Sequence, residues 1–122
     1  MMLQVAIGAA IGATIRLGIT ACFSRALSQS FPFGVMAVNV IGCFAMGVVV
    51  AISTQTSNSQ FNAFVMTGVL GGMTTFSAFS LDSYTLIERG EIGAAALYVF
   101  FSVSCSIIAL FAGVIMTKAC WF

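Results

Sequence analysis

Between Arg25 and Asp82 the sequence contains no lysine, arginine, histidine, aspartate or glutamate. That gap is long enough for two membrane spans and the loop between them. Soluble domains carry about 25% charged residues, whereas this 122-residue chain carries 6%, against 61% hydrophobic. A water-facing surface cannot be built from it, so the solvent is lipid. In lipid every backbone N–H and C=O has to be satisfied by the protein itself, which leaves helices or closed barrels. Barrel strands are short and alternate in hydropathy. The apolar runs here are long and continuous, which predicts an all-α integral membrane protein, a single domain over residues 1–122.

A span needs about 20 mostly apolar residues. Four stretches qualify, at about residues 3–23, 34–52, 61–85 and 92–117. SRALSQSFPF (24–33) and the polar, uncharged STQTSNSQ (53–60) read as loops, residues 87–91 as a tight charged turn, and Lys118 closes the last span. Pro32 suits a position just ahead of a new helix. The start MMLQVAIGAA lacks the basic stretch of a cleavable leader and its apolar run continues past Arg16, so the first span is read as retained.

Four spans put both termini on one side of the membrane. The far-side loops hold Arg25 and Arg89, and the terminal side holds Lys118. Orientation follows the excess of Lys and Arg in short loops, and this excess is small. Two outcomes are compatible with it: one orientation with a modest bias, or insertion both ways up with antiparallel pairing. Gly8 and Gly12, Gly68 and Gly72, and Gly42 and Gly47 have spacings that let helices approach closely. Four spans are few for enclosing a pathway alone, so an oligomer, most simply a two-fold dimer, is expected.

The net charge of +1, without a basic cluster, gives no reason to expect a nucleic-acid partner. Cys22, Cys43, Cys105 and Cys120 lie far apart, with no CxxC spacing and no histidine to complete a metal site. They read as buried thiols. No phosphate-binding loop or other catalytic motif is present.

Against this background the polar groups inside the spans carry the information. Arg16, at a bilayer centre, would cost at least ~2.5 kcal/mol on insertion scales. It can snorkel to the far face or sit at the mouth of an aqueous cavity that attracts anions. Asn39 lies among Val38, Val40 and Ile41. An amide in hydrocarbon needs a partner, so it either bonds to another helix or lines a polar conduit. Tyr98, Ser102 and Ser106 recur at i, i+4, i+8, which places three hydroxyls in one stripe.

The segment GGMTTFSAFS (71–80) interrupts the third span. Gly71 and Gly72 weaken a helix by about 1 kcal/mol each relative to alanine, and Thr74 and Thr75 can bond locally to the backbone. This predicts either a close packing point or a helix broken in mid-membrane. Exposed carbonyls at such a break would make a cation site. Beyond it Phe76 and Phe79 fall one turn apart, as do Ser77 and Ser80 on a neighbouring stripe. A phenyl ring has a positive edge that can meet an anion without a fixed countercharge.

Three motifs in order carry a resemblance over essentially the whole chain: GAAIGATIR (8–16), GVMAVNVIGCFAMG (34–47) and GVLGGMTTFSAFSLD (68–82). They resemble the G-x-x-G-A-x-x-R, V-N-x-x-G-s-F-x-x-G and G-x-x-G-G-x-T-T-F-S-T-F-S patterns of the small Fluc (CrcB) fluoride channels. The resemblance implies an antiparallel, dual-topology homodimer in the bacterial cytoplasmic (inner) membrane. Its third helix would be broken in the middle, and two pores would passively export fluoride from the cytoplasm. It implies a pore formed by Phe76, Phe79, Asn39, Ser77, Ser80, Tyr98, Ser102 and Ser106, with Arg16 at the vestibule. It also implies a structural sodium ion at the dimer centre, held by backbone carbonyls of Gly71 and Thr74. Two positions depart from the family pattern: Ala78 where threonine is common, and Asp82 where glutamate is common. The rival class is a small four-span multidrug or cation exporter, which needs a membrane-embedded carboxylate to trade protons for cations. The first span here holds Arg16 and no acid, and Asp82 lies toward the end of the third.

Overall fold

The spans become five helices in the computed structural model, which describes residues 1–27 and 30–121. They are α1 (Met2–Ala26), α2 (Phe33–Ser53), α3 (59–73), α4 (Phe76–Glu88) and α5 (Ile92–Trp121). Among the described residues there is no strand. The third span, Ser59–Glu88, is α3 and α4 together, so four helical stretches are long and apolar enough to cross a membrane. The loop expected at 24–33 is shorter than that, because α1 runs to Ala26 and α2 starts at Phe33; Ser28 and Gln29 lie outside the described residues.

Backbone contact sets the arrangement. α1 lies against α3 so closely that a Cβ on Gly8 would stand 2.7 Å from the Phe64 carbonyl oxygen, and one on Gly72 would stand 2.8 Å from the Ala9 Cα. A Cβ on Gly12 would overlap the Val69 carbonyl. The small-residue spacing read from sequence is therefore a helix–helix seam, as expected where lipid offers no hydrophobic drive for association. α2 and α5 form a second seam: Gly47 sits on Leu110 and Val114, and Gly113 sits on Phe44 and Val48. At the other end of this pair Val35 and Met36 pack beside Ala95 and Tyr98. Low numbers thus meet low numbers, and α2 and α5 run parallel. That register puts Asn39 near the level of Ser102, and Cys43 near Ser106.

The core is small. Leu86, Tyr98, Val38 and Ala51 are fully buried, while Leu3, Leu17, Phe100, Ile108 and Phe111 face outward. The cysteines are not the buried thiols that composition suggested: Cys22 and Cys120 are exposed on the protomer, and Cys43 and Cys105 are half-buried. Lipid is as apolar as leucine, so hydrophobicity in a span does not sort residues into inside and outside.

The third span departs furthest from a regular helix. Asn58 caps it by accepting from the Phe61 N–H at 3.0 Å. From Ala63 to Leu70 it is wound with wide i→i+5 turns, the Gly71 N–H reaching the Met66 carbonyl. One turn of α-helix follows at Gly71–Met73, and then the chain leaves the helix at Thr74 (ψ 149°) and Thr75 (φ −151°, ψ 127°). The break is thus at the threonines, and Gly71 and Gly72 remain helical. At the membrane face α4 ends in a left-handed Gly90 (φ 77°), where the Glu91 N–H closes back on the Leu86 carbonyl at 2.9 Å. Arg89 pairs with Glu91 at 3.5 Å and donates to the Ser30 carbonyl at 3.0 Å, tying this turn to the α1–α2 connection on the same face.

Candidate functional site

Two extended threonines free backbone groups that a continuous helix would have paired. In lipid such groups need protein partners. Asn39 supplies two of them from α2. Its Oδ1 accepts the Thr75 N–H at 2.9 Å, and its Nδ2 donates to the Thr75 carbonyl at 3.2 Å. Thr75 also starts α4, its Oγ1 accepting the Ala78 N–H at 3.3 Å and sharing a 2.9 Å hydrogen bond with Ser77 Oγ. Thr74 is pinned by its hydroxyl, which donates to the Leu70 carbonyl at 2.9 Å, and by its methyl, which fills the space above Gly42.

The same bonds leave carbonyls behind. In an unbroken helix the Thr75 N–H would serve Gly71 O and the Ala78 N–H would serve Thr74 O. Both donors are used elsewhere. The oxygens of Gly71 and Thr74 are thereby released at the break, and Gly71 lies exposed on the protomer surface. Neutral carbonyl oxygens of this kind suit a hard monovalent cation.

Beside the break lies a groove of about 250 Å³ between α2, α4 and α5. Asn39, Phe76, Phe79, Ser102 and Ser106 line it, together with Thr74, Thr75 and Cys43. None of its lining side chains carries a charge. Phe76 and Phe79 have ring centroids 5.4 Å apart with planes tilted by 55°. Phe76 is 77% exposed on the protomer, whereas Phe79 is buried against Tyr98, centroids 5.3 Å apart. The Ser102 Oγ is buried and makes no hydrogen bond among the described residues.

The remaining residues singled out from sequence stand outside this groove. Tyr98 lies behind Phe79, fully buried, and donates its hydroxyl to Asp82 Oδ2 at 3.1 Å. Phe31 meets the Tyr98 ring edge-on at 5.6 Å and 86°. Ser80 donates to the Phe76 carbonyl of its own helix at 2.9 Å, and Ser77 is held by Thr75. Arg16 is half-buried in α1 and makes no ion pair among the described residues. A second, more polar cavity of about 320 Å³, lined by Thr20, Ser24, Phe31, Pro32 and Asp82, opens near the α1–α2 connection. Sequence reading had Thr75 bonding locally at the interruption but did not assign it, Cys43 or Phe31 to the site. Thr75 had a signal, since a threonine three residues ahead of a helical N–H is a cap pattern. The role of Phe31 depends on a ring contact across the fold and had none.

Comparisons with known proteins identify the family of the chain. The family model described as CrcB-like protein, Camphor Resistance (CrcB), matches residues 3–114. A protein of Cereibacter sphaeroides named "Fluoride-specific ion channel FluC" is 50% identical over 112 residues, covering 92% of this chain and 90% of its own length. Proteins with the same name from Paracoccus denitrificans and Rhizobium etli are 47% and 44% identical, over 91% and 96% of this chain and 89% and 95% of their own lengths. With a matching family model over nearly its whole length, and relatives this similar end to end, the chain belongs to the CrcB family.

Proposed function

We propose that this protein is a fluoride channel of the bacterial cytoplasmic membrane, passing fluoride passively out of the cell along the groove between α2, α4 and α5. The observation that carries the reading is the lining: two aromatic rings, one carboxamide and the hydroxyls of Ser102 and Ser106, with no charged side chain. Fluoride is small and strongly hydrated, and taking it into a low-dielectric site is prohibitive unless other donors replace its water. Ring edges and hydroxyls can replace it, and Ser102 Oγ has no partner among the described residues. Because none of these groups is a cation, binding stays weak enough for the ion to leave. Ser77, Ser80 and Tyr98 extend the path beyond the two rings, and Arg16 draws anions toward its mouth. Transport runs down the gradient with no catalytic step. The curated relatives, named as fluoride-specific channels, support the same reading.

The working unit of this proposal is an antiparallel homodimer with two such paths. A helix break exposed at membrane depth is tolerated only where protein or a cavity covers it, and a second copy would cover Gly71 and Phe76. A sodium ion at that contact would be held by the Gly71 and Thr74 carbonyls of both copies. It would supply structural cross-linking and a fixed positive bias near the anion path.

The test is fluoride efflux from liposomes, read with a fluoride electrode. The protein is expected to release the trapped anion. Phe76→Ile and Phe79→Ile are each expected to cut the flux sharply while the protein still assembles. Replacing sodium throughout by a large organic cation is expected to lower flux and dimer stability together. Vesicles that hold their gradient with the unmodified protein overturn the channel. Full flux from both isoleucine variants overturns the ring-edge role, and indifference to sodium removes the ion from the mechanism.

A further inference from the structure

The groove contains one nucleophile that conduction does not require. Cys43 lies on α2 one turn beyond Asn39, and its side chain lines the cavity together with Ser102, Ser106, Phe76 and Phe79. Its environment is unlike that of the other three thiols. Cys22 and Cys120 are exposed on the outer surface of the protomer, and Cys105 does not line the groove. The parallel register of α2 and α5 sets Cys43 near the level of Ser106, across the space an ion would occupy. A second observation at the same cavity points to a missing ligand: Ser102, 4% exposed and lining the groove, has a hydroxyl with no hydrogen-bond partner among the described residues. Natural proteins pair buried polar groups with few exceptions. The Ser102 hydroxyl is thus left to bond an acceptor brought to this wall of the groove, and an electrophile in the same space would meet the Cys43 sulfur.

We propose that Cys43 is a thiol-modification site within the groove: small, uncharged thiol-reactive electrophiles enter, bond to Sγ, and obstruct the ion path. The obstruction rests on the reading of this groove as the fluoride path; the modification itself does not. With methyl methanethiosulfonate the step balances directly. The Cys43 sulfur, as thiolate, attacks the methylthio sulfur of the reagent. A new S–S bond forms, the bond to the sulfonyl sulfur breaks, methanesulfinate leaves as the anion, and the proton released by the thiol passes to water. The product projects an S-methyl group between Asn39 and the serine stripe.

The experiment treats proteoliposomes with methyl methanethiosulfonate, measures fluoride efflux before and after, and locates the adduct by peptide mass spectrometry. Protein with all four cysteines should lose efflux to the level of protein-free vesicles and carry the adduct on Cys43. A variant with Cys22, Cys105 and Cys120 each changed to alanine should respond in the same way. In Cys43→Ser, whatever efflux exists before treatment should persist after it. The proposal is overturned by an adduct on Cys43 with undiminished efflux, by labelling of Cys22 and Cys120 that spares Cys43, or by equal loss in Cys43→Ser. Absence of efflux before any reagent is added refutes the channel reading and with it the obstruction. The adduct map then decides the modification site by itself.

Discussion

At the scale of single residues the fold depends on one side chain reaching across 36 positions. Asn39 holds both backbone groups of Thr75, the N–H at 2.9 Å and the carbonyl at 3.2 Å. The amide is a structural bracket and also part of the groove wall, so the bonding alternative left open by the sequence is realised, and the conduit alternative rests on the proposed ion path. The sequence could state that an amide in hydrocarbon needs a partner, but it could not say which. The partner is backbone, and Thr75 offers it only because it has left the helix. Asn39→Leu keeps similar bulk and removes both bonds. Leaving a buried donor or acceptor unsatisfied costs about 1–3 kcal/mol per group. The variant is therefore expected to unfold at distinctly lower denaturant in mixed micelles, and an unchanged midpoint would mean that Thr75 is satisfied without it.

At the scale of elements the legible and illegible parts separate by physical cause. Four apolar stretches could be read directly, because hydropathy reports transfer into lipid and little else. The break in the third span could be narrowed to GGMTTFSAFS but not placed within it. The glycines attract attention by their helix propensity, yet Gly72 is there because α1 leaves no room for a Cβ: one would stand 2.8 Å from the Ala9 Cα. Thr74 and Thr75 break the helix because other groups stand ready to take up what they release. The wide turns from Ala63 to Leu70 left no trace in the sequence. The seam itself makes a sharp contrast. A Cβ on Gly12 meets backbone atoms of Val69 and Met73, which cannot swing aside, whereas one on Gly18 meets nothing within 4 Å. Overpacking typically costs about 1–3 kcal/mol, sometimes more. Gly12→Ala should thus lower the yield of folded protein and its unfolding midpoint, and Gly18→Ala should leave both unchanged. Equal behaviour of the two variants in size-exclusion and denaturation profiles would remove the α1–α3 seam as a determinant of the fold.

At the scale of the whole molecule a single chain leaves the proposed site open to its surroundings. Phe76 is 77% exposed, Gly71 is exposed beside released carbonyls, and the groove runs along the protomer's flank. These features lie in the middle of the third span, where lipid would be a poor neighbour for free backbone. A copy related by a two-fold axis in the membrane plane brings break against break at equal depth, which an axis along the membrane normal does as well. The antiparallel pair proposed above uses the in-plane axis, and the small charge excess, with Arg25 and Arg89 at one face against Lys118 at the other, permits insertion both ways up. Protease-cleavable tags on the C-terminus are accordingly expected to be cut from both sides of sealed membrane vesicles. Added lysines in the C-terminal tail should drive all copies into one orientation and abolish fluoride efflux. Efflux should return on co-expression with a copy whose added lysines lie in the 87–91 turn, on the face opposite the termini, which drives that copy to insert the other way up. Full efflux from a population shown to insert in one orientation would rule out the antiparallel pair, and would require the second copy to cover Gly71 and Phe76 by a parallel contact instead.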